Sequence, residues 1–357
     1  MKVSLGRGAA IWACLGLALA SFVGCGSNNP APPPGAGSKP VEATGEAQPK
    51  TKPAATASKL DLSGEDLTDE KLAGFADSAE LKELKLSAPK VSAQGLMKLA
   101  PLTKLTAIDA RGTPLDDQGL QVLASGRTLK VLRTQSPKIT DEGIQHLAGQ
   151  GELRVLGLDE ASVGNGAVKL AGKMPALEEL LLAKTKVDDS AFDSLEGLTK
   201  LRVLRLRGTS ISETALAKIG ALPELRQLDV SETAVGDAGV AALESLQHLE
   251  RLNLWATKIT DGAAPSLAKI KSLTWLNVDA TALTDAALPA LAELGELKFL
   301  HLGSTQVTDA GIEALAKLTK LEDLIVTRTR VTEAGVKALQ AKLPKAKIQL
   351  IYEGPKP

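Results

Sequence analysis

The sequence predicts an α/β solenoid in which short parallel strands alternate with helices, because three features return with one period. A leucine recurs every 24 residues, eleven times from Leu81 to Leu321. An aliphatic residue stands three positions after each of these leucines, and the alternation that follows is typical of a strand with one buried face. The second half of each repeat carries apolar residues at helical spacing. One strand and one helix cannot bury their apolar faces alone, so we expect the repeats to stack.

Counted from its leucine, each repeat has a conserved layout that "LRVLRLRGTSISETALAKIGALPE" (201–224) illustrates. Positions 4 and 6 predict the inward face of the strand. Position 12 is usually Thr, Ser or Asp with an acidic residue next, as in Thr260-Asp261, which predicts a helix N-cap. Positions 16, 19 and 22 predict the helix, as in Leu288, Leu291 and Leu294. Position 15 is always Gly or Ala, so we expect the helix start to approach the core closely.

These motifs resemble the leucine-rich-repeat family, and the resemblance covers about 290 of the 357 residues. The ITDxGL-type element is similar to the ribonuclease-inhibitor-like, cysteine-containing class, with threonine where that class often has asparagine or cysteine. The resemblance implies a horseshoe with a parallel β-sheet on its concave face and helices on its convex face.

The repeat domain is expected to span residues 59–350, with about twelve repeats and a short tail at 351–357. Leu60 and Ile348 occupy position 4 of partial repeats at the two ends, so about thirteen strands are predicted. At about 4.8 Å per strand, the sheet would run roughly 60 Å. Some repeats are irregular, with Pro89 and Pro137 at position 9 and Gln150 at position 22. We expect looser packing of the helical side there, without a domain break.

The N-terminus predicts a secretory signal over residues 1–24, because basic residues precede an apolar run from Ala9 to Val23. The run ends in "SFVGC", which resembles the lipobox of bacterial lipoproteins, with Phe22 in place of the usual leucine. The resemblance implies that Cys25 is lipidated and becomes the first residue of the mature chain. An ordinary signal peptide with a chance cysteine is the alternative.

Residues 26–58 predict a disordered tether, because they contain seven of the 18 prolines and no aromatic residue. As a flexible coil this segment would span roughly 30 Å. Besides Cys25 the chain has only Cys14, inside the signal, so the mature protein could form neither a disulfide nor a thiolate metal site. The residue after Cys25 is Gly26, whereas an aspartate at this position favours retention of a lipoprotein in the inner membrane. The resemblance to lipoproteins therefore implies that this protein is placed in the outer membrane or at the cell surface.

Neither catalysis nor nucleic-acid binding is predicted. The three histidines stand in no HExxH motif, and the chain contains no GxSxG or Walker sequence. We therefore expect no enzymatic activity, cofactor or metal. The 42 basic and 42 acidic residues cancel, so no strong field points to nucleic acid. Acidic residues in nearby repeats are expected to neutralise one local cluster of arginines. The cluster comprises Arg133, Arg202, Arg205, Arg207 and Arg226, and the acids are Glu178, Glu179, Asp229 and Glu250.

Positions 3, 5 and 7 are expected to face away from the core, onto the concave face. Three aromatic residues occupy such positions in three consecutive repeats of a chain that is only 2% aromatic. Together with their polar neighbours they form a candidate binding site: Trp255, Trp275, Phe299, Asn253, Asn277, Asp279 and His301. Aromatic anchors among amide and carboxylate groups resemble a protein-binding hot spot or a carbohydrate platform. Cross-strand packing that only stabilises the sheet is the alternative.

The function favoured by these observations is a monomeric, lipid-anchored, extracytoplasmic scaffold that binds a protein or an envelope glycan. A passive envelope component that spaces or stiffens the surface, without a defined ligand, is the second hypothesis. An F-box-like adaptor or an enzyme is disfavoured, because the signal directs the chain out of the cytoplasm and no nucleophile–base pair is visible.

Overall fold

One parallel β-sheet of thirteen strands, in chain order, organises the part of the chain that the structure describes. This computed structural model describes residues 57–193, 195 and 197–351. The predicted signal, Cys25, nearly all of the predicted tether and the last six residues lie outside the described residues. The strands are β1 Lys59–Leu62, β2 Glu83–Leu86, β3 Ala107–Asp109, β4 Val131–Thr134, β5 Val155–Leu158, β6 Glu179–Leu181, β7 Val203–Arg205, β8 Gln227–Asp229, β9 Arg251–Asn253, β10 Trp275–Asn277, β11 Phe299–His301, β12 Asp323–Ile325 and β13 Lys347–Gln349.

A short helical segment follows each of the first twelve strands. The α-helices are α1 Asp69–Ala73, α2 Ala93–Met97, α3 Asp117–Ala124, α4 Asn165–Ala171, α5 Glu213–Ile219, α6 Asp237–Ala241, α7 Ala264–Leu267, α8 Leu288–Leu291, α9 Asp309–Ile312 and α10 Glu333–Lys342. Segments of 3₁₀-helix stand at Gly143–Leu147, Asp189–Asp193, Asp261–Ala263, Asp285–Ala287 and Glu313–Lys317. No helix of the described residues is long and apolar enough to cross a membrane.

The strand register has a constant offset of 24 residues. Leu204 pairs with Leu228, which pairs with Leu252, and the same offset holds from β1 to β13. The number of strands and the end strands predicted around Leu60 and Ile348 are therefore confirmed. A constant offset stacks each residue directly on its equivalents in the neighbouring repeats, so one sequence position forms one ladder across the sheet.

The core lies between the sheet and the helical segments. Leucines at positions 1 and 4 and the aliphatic residues at position 6 are buried, as Leu225, Leu228 and Val230 show. Leu288, Leu291 and Leu294 reach the same core from the helical side, as predicted. Each fully buried aliphatic side chain stabilises the fold by about 1.5–3 kcal/mol relative to exposure. Positions 3, 5 and 7 lie on the other side of the sheet, called the open face below.

Position 8 has a left-handed backbone in most repeats, which the sequence pattern did not predict. Seven non-glycine residues have φ between 52° and 61° there, as do Gly112 and Gly208 at 81° and 64°. The seven are Glu160, Lys184, Glu232, Ala256, Ala280, Ser304 and Arg328. Repeats with Pro89 or Pro137 at position 9 lack this feature, because a proline disfavours helical-type backbone in the residue before it.

Threonines at position 9 satisfy the backbone where the strand turns. In seven repeats the hydroxyl donates to the carbonyl of position 6, as Thr209 Oγ1 does to Leu206 O at 2.6 Å. Thr113 is different, because its hydroxyl accepts a hydrogen bond from the Ala88 amide at 3.2 Å. This ladder stabilises the corner and uses the hydroxyl protons of these threonines within the chain.

Aspartates at position 13 link successive repeats. The Asp285 carboxylate accepts hydrogen bonds from the Thr308 amide at 2.7 Å and from the Thr308 hydroxyl at 2.6 Å. Equivalent pairs begin at Asp69, Asp117, Asp189, Asp237, Asp261 and Asp309. Hydrogen bonds from Thr332 lower the pKa of Asp309. These carboxylates are therefore structural acceptors.

The same ladder explains part of the requirement for a small residue at position 15. A Cβ at Gly311 would collide with the Asp285 carboxylate, and one at Gly335 would collide with that of Asp309. At Gly239 the nearest obstacles are instead the side chains of Leu216 and Val235. The close approach predicted at the helix start is thus made partly to the carboxylate of the preceding repeat.

The expected loosening of the irregular repeats is wrong at Gln150. This side chain is only 7% exposed and makes three hydrogen bonds, to the Leu129 amide and to the carbonyls of Ala124 and Arg127. The Arg127 guanidinium is equally buried and donates to backbone carbonyls that include those of Leu99 and Leu102. Polar side chains replace the missing apolar contacts there, because they satisfy backbone groups that the short helices leave open.

We expect Asp285→Ala to lower the free energy of unfolding by about 1–3 kcal/mol, because the Thr308 amide and hydroxyl both lose a charged acceptor. Urea denaturation followed by circular dichroism measures the change. Glu296→Ala is the control, since Glu296 and Lys320 form an exposed ion pair, which we expect to contribute less than about 1 kcal/mol. Equal, small effects of the two substitutions would contradict the stabilising role of the ladder.

Candidate functional site

The seven residues predicted as a binding site lie together on the open face and are called the aromatic patch. They belong to strands β9, β10 and β11 or to the residues just after them. Trp275 pairs with Phe299, and Asn277 pairs with both Asn253 and His301. None of the three aromatic rings is buried beneath the leucines, since each side chain keeps partial exposure. The structure therefore brings these residues together on an accessible surface of the described chain.

Trp275 and Phe299 stack face to face. Their ring centroids lie 4.9 Å apart and the ring planes differ by 6°. The guanidinium of Arg251 covers the other face of Trp275, with its carbon 4.6 Å from a ring centroid. The sequence pattern placed the two aromatic residues on the same face in consecutive repeats, but it did not include Arg251 in the site. The sequence does indicate this contact, because Arg251 occupies position 3 of the repeat before Trp275 and the fixed register places the two residues side by side.

Trp255 belongs to a second row, at position 7. Its ring lies under the guanidinium of Arg207, 4.8 Å from the centroid, although Arg207 stands two repeats away. Ser231 occupies the same position in the intervening repeat and is small enough for Arg207 to pass over it. The rows at positions 3 and 7 are about 13 Å apart along the strand direction, at about 3.3 Å per residue.

Asn253 and Asn277 form the floor between these two rows. They are 6% and 9% exposed, so they are more deeply placed than the expectation of an outward-facing position 5 suggested. Asn253 Oδ1 accepts a hydrogen bond from the Trp255 amide at 3.2 Å, and Asn277 Oδ1 accepts one from the Asp279 amide at 2.9 Å. Because a backbone N–H requires an acceptor, each amide oxygen is fixed toward the backbone. The NH₂ groups remain as donors.

His301 and Asp279 lie at the other end of the aromatic patch. The imidazole meets Phe299 edge-on, with centroids 6.5 Å apart and planes at 82°. Its Nε2 is 3.9 Å from Asp279 Oδ2, which is too long for a hydrogen bond. Burial lowers the pKa of His301, and the charge of Asp279 opposes the shift. A Cβ at Gly303 would meet both side chains, so glycine there leaves room for them.

The arginine cluster is mostly neutralised, as predicted, although not always by the expected acid. Glu179 binds Arg133 at 2.8 Å, and Glu250 binds Arg226 at 2.6 Å. Glu178 forms two hydrogen bonds with Arg154, which the prediction did not include. The acids that pair with Arg205 and Arg207 are Asp159 at 2.9 Å and Glu232 at 2.7 Å.

Asp229 was expected to neutralise this cluster but forms no ion pair with it among the described residues. Its carboxylate accepts hydrogen bonds from the amide and hydroxyl of Ser231, at 3.0 and 2.6 Å. It is 4% exposed, and burial raises its pKa despite those hydrogen bonds and the charges of Arg205 and Arg207. Asp229 thus occupies the same backbone-bracing role as Asn253 and Asn277 in the next two repeats.

No constellation for catalysis or metal binding is visible in the described part of the chain. Within those residues, no group of three His, Cys, Asp or Glu side chains is placed to hold a metal ion. The arrangement of the aromatic patch is suited to contact, since it presents ring edges, amide donors and charged groups on a rigid sheet.

One strand for each 24-residue repeat, in a single open parallel sheet backed by short helices, defines a leucine-rich-repeat solenoid. A family model described as a leucine-rich repeat region matches residues 183–351. An internalin from Listeria monocytogenes is similar in structure, with 21% identity, coverage of 83% of this chain and 87% of the internalin, and a TM-score of 0.61.

A leucine-rich-repeat protein of Leptospira interrogans is more distantly similar, at 16% identity and a TM-score of 0.43 over 81% of this chain and 96% of that protein. No curated protein matches this chain in sequence. The predicted fold class is confirmed by the family match and the likeness to the internalin, together with the sheet topology.

We expect Asp229→Asn to stabilise the protein at pH 7. Because the folded-state pKa of Asp229 is raised, its stabilising contribution is complete below the unfolded value of about 3.9 and is lost as the pH rises through the folded value. Asparagine keeps the acceptor for Ser231 without a buried charge. The difference in unfolding temperature should therefore be near zero at pH 3 and grow toward neutral pH.

Asp109→Asn is the matched control, because Asp109 occupies the same repeat position but pairs with Arg111 at 2.6 Å. This substitution should not stabilise the protein at any pH. A loss of stability for Asp229→Asn at pH 7 would show that the charge itself is needed.

Proposed function

We propose that this protein is a lipid-anchored binding scaffold outside the cytoplasm, whose aromatic patch recognises a protein or an envelope glycan. The observation that carries the proposal is the row of Arg251, Trp275 and Phe299, stacked on the open face and partly exposed. Solenoids of this class use extended sheet surfaces for binding. Tryptophan and arginine are also among the residues that most often dominate the binding energy at interfaces.

The location rests on the N-terminal sequence, which the structure does not describe. "SFVGC" after a short apolar run supports lipidation of Cys25, and the proline-rich segment after it supports a tether between anchor and solenoid. Such an anchor would hold the open face away from the membrane surface by roughly the length of the tether.

A passive envelope component is the second candidate, and one observation favours it. Each aromatic ring of the stacked pair has at least one face covered by another side chain of this chain, as expected for rings that only stabilise the sheet. Under this alternative, loss of the rings would lower stability without changing any binding.

Replacing both patch tryptophans should separate these candidates. We expect Trp255→Ala with Trp275→Ala to abolish capture of the partner from envelope extract, because large contact area and two cation–π contacts are lost. Affinity capture with the wild-type chain identifies the partner, and circular dichroism checks that the variant is folded. Met97→Ala is the control, because Met97 is 49% exposed and lies on α2, outside the aromatic patch. If the wild type and the double variant capture the same partner equally well, the binding site does not lie in this patch.

Cys25→Ala should abolish incorporation of a labelled fatty acid and release the protein from the membrane fraction, since the acylated thiol is the proposed anchor. Cys14→Ala is the control and should leave both unchanged, because Cys14 lies within the predicted signal. Labelling that persists in Cys25→Ala would contradict the lipobox assignment.

A further inference from the structure

The arginines of the open face differ in whether a carboxylate neutralises them. Five arginines occupy positions 3, 5 or 7: Arg111, Arg133, Arg205, Arg207 and Arg251. The first four each have a carboxylate oxygen within 2.6 to 2.9 Å. Arg251 has no ion-pair partner among the described residues. The carboxylate next to it in sequence, Glu250, is already paired with Arg226 at 2.6 Å.

We propose that Arg251 docks a carboxylate of an acidic protein segment, assisted by the amide groups of Asn253 and Asn277. This inference rests on the proposed binding function and names the chemistry of the partner. An acidic peptide supplies what the site lacks, namely an anionic acceptor for the N–H groups of a guanidinium that no carboxylate of the described residues binds.

The setting of Arg251 prepares it for such a contact. Contact with the Trp275 ring restrains the guanidinium, so less side-chain entropy is lost when a ligand binds. A guanidinium has five N–H donors, and those that do not face the ring remain for a carboxylate, which can bind with two parallel hydrogen bonds. Burial lowers the pKa of Arg251, and an arginine nevertheless stays charged. Partial removal from water also strengthens its attraction for an anion.

The floor of the site adds donors of the same kind. Asn253 lies two residues after Arg251 on β9, and Asn277 is its pair on β10. Since backbone amides occupy both side-chain oxygens, these asparagines offer NH₂ groups to a ligand. Arg251, Asn253 and Asn277 therefore form a surface of hydrogen-bond donors, which is complementary to carboxylate and carbonyl oxygens.

The same geometry disfavours a sugar stacked on Trp275. Carbohydrate stacking needs an open aromatic face, whereas Arg251 covers one face of Trp275 and Phe299 covers the other. On the far side of Phe299 stands Asp323, its register partner on β12. Ring edges and donor groups remain available at this row, and a protein segment with carboxylates can use both.

The test uses an acetylated and amidated hexaglutamate peptide as the probe. Without the predicted signal over residues 1–24, the chain keeps two tryptophans, Trp255 and Trp275, and both lie in the aromatic patch and serve as fluorescent reporters. We expect a saturable fluorescence change with hexaglutamate that weakens as salt is added, and none with hexalysine. Arg251→Gln should weaken hexaglutamate binding about tenfold or more. Arg251→Lys should weaken it less, because lysine keeps the charge but loses the fork.

Arg133→Gln is the matched control, because it removes the same charge from an arginine that Glu179 already neutralises. It should change hexaglutamate affinity less than twofold. Absence of saturable hexaglutamate binding, or equal losses for Arg251→Gln and Arg133→Gln, would overturn the inference. So would tight binding of chitohexaose that Arg251→Gln leaves unchanged, which would identify a glycan site. If the partner captured from envelope extract depends on the two tryptophans but not on Arg251, only the carboxylate inference fails and the proposed function stands.

Discussion

The constant offset of 24 residues between paired strands is the constraint on which the rest of the structure depends. Leucine layers favour this offset because any other pairing would move apolar residues out of the core. The carboxylate of Asp285 reinforces it on the helical side by binding both the amide and the hydroxyl of Thr308. A slip by a single residue would break the leucine layer and this polar link together, which is why the register is uniform over thirteen strands.

Fixed stacking made much of the structure predictable from the sequence. Residues at one repeat position lie about 4.8 Å from their equivalents, so any two consecutive aromatic residues at position 3 must touch. That reasoning places Trp275 against Phe299, and the structure shows the two rings stacked. The same rule was sufficient to place Arg251 on Trp275. The spacing of the aromatic residues alone does not indicate the cation that covers the Trp275 ring.

Other features could not be predicted from the repeat, because they depend on local backbone geometry or on how far a long side chain extends across neighbouring repeats. The left-handed backbone at Ala256 and Ala280 has no glycine in the sequence to indicate it. The burial of Asn253 and Asn277 follows from hydrogen bonds to amides two residues later, which side-chain alternation alone does not reveal. Asp229 has the same role and therefore keeps a carboxylate out of water, where an expectation based on charge would place it beside an arginine.

Long side chains on the open face reach across a small residue to a partner two repeats away. Arg133 meets Glu179 across Gly157, and Arg207 meets Trp255 across Ser231. A larger residue at either intervening position would occupy the path of the arginine. Contacts on this face therefore depend on the size of the residue in the intervening repeat as well as on the charges of the two partners. Arg251 is different because its guanidinium lies over the ring of its immediate neighbour, Trp275. With no carboxylate of the described chain within ion-pairing distance, the charge of Arg251 is left for a ligand.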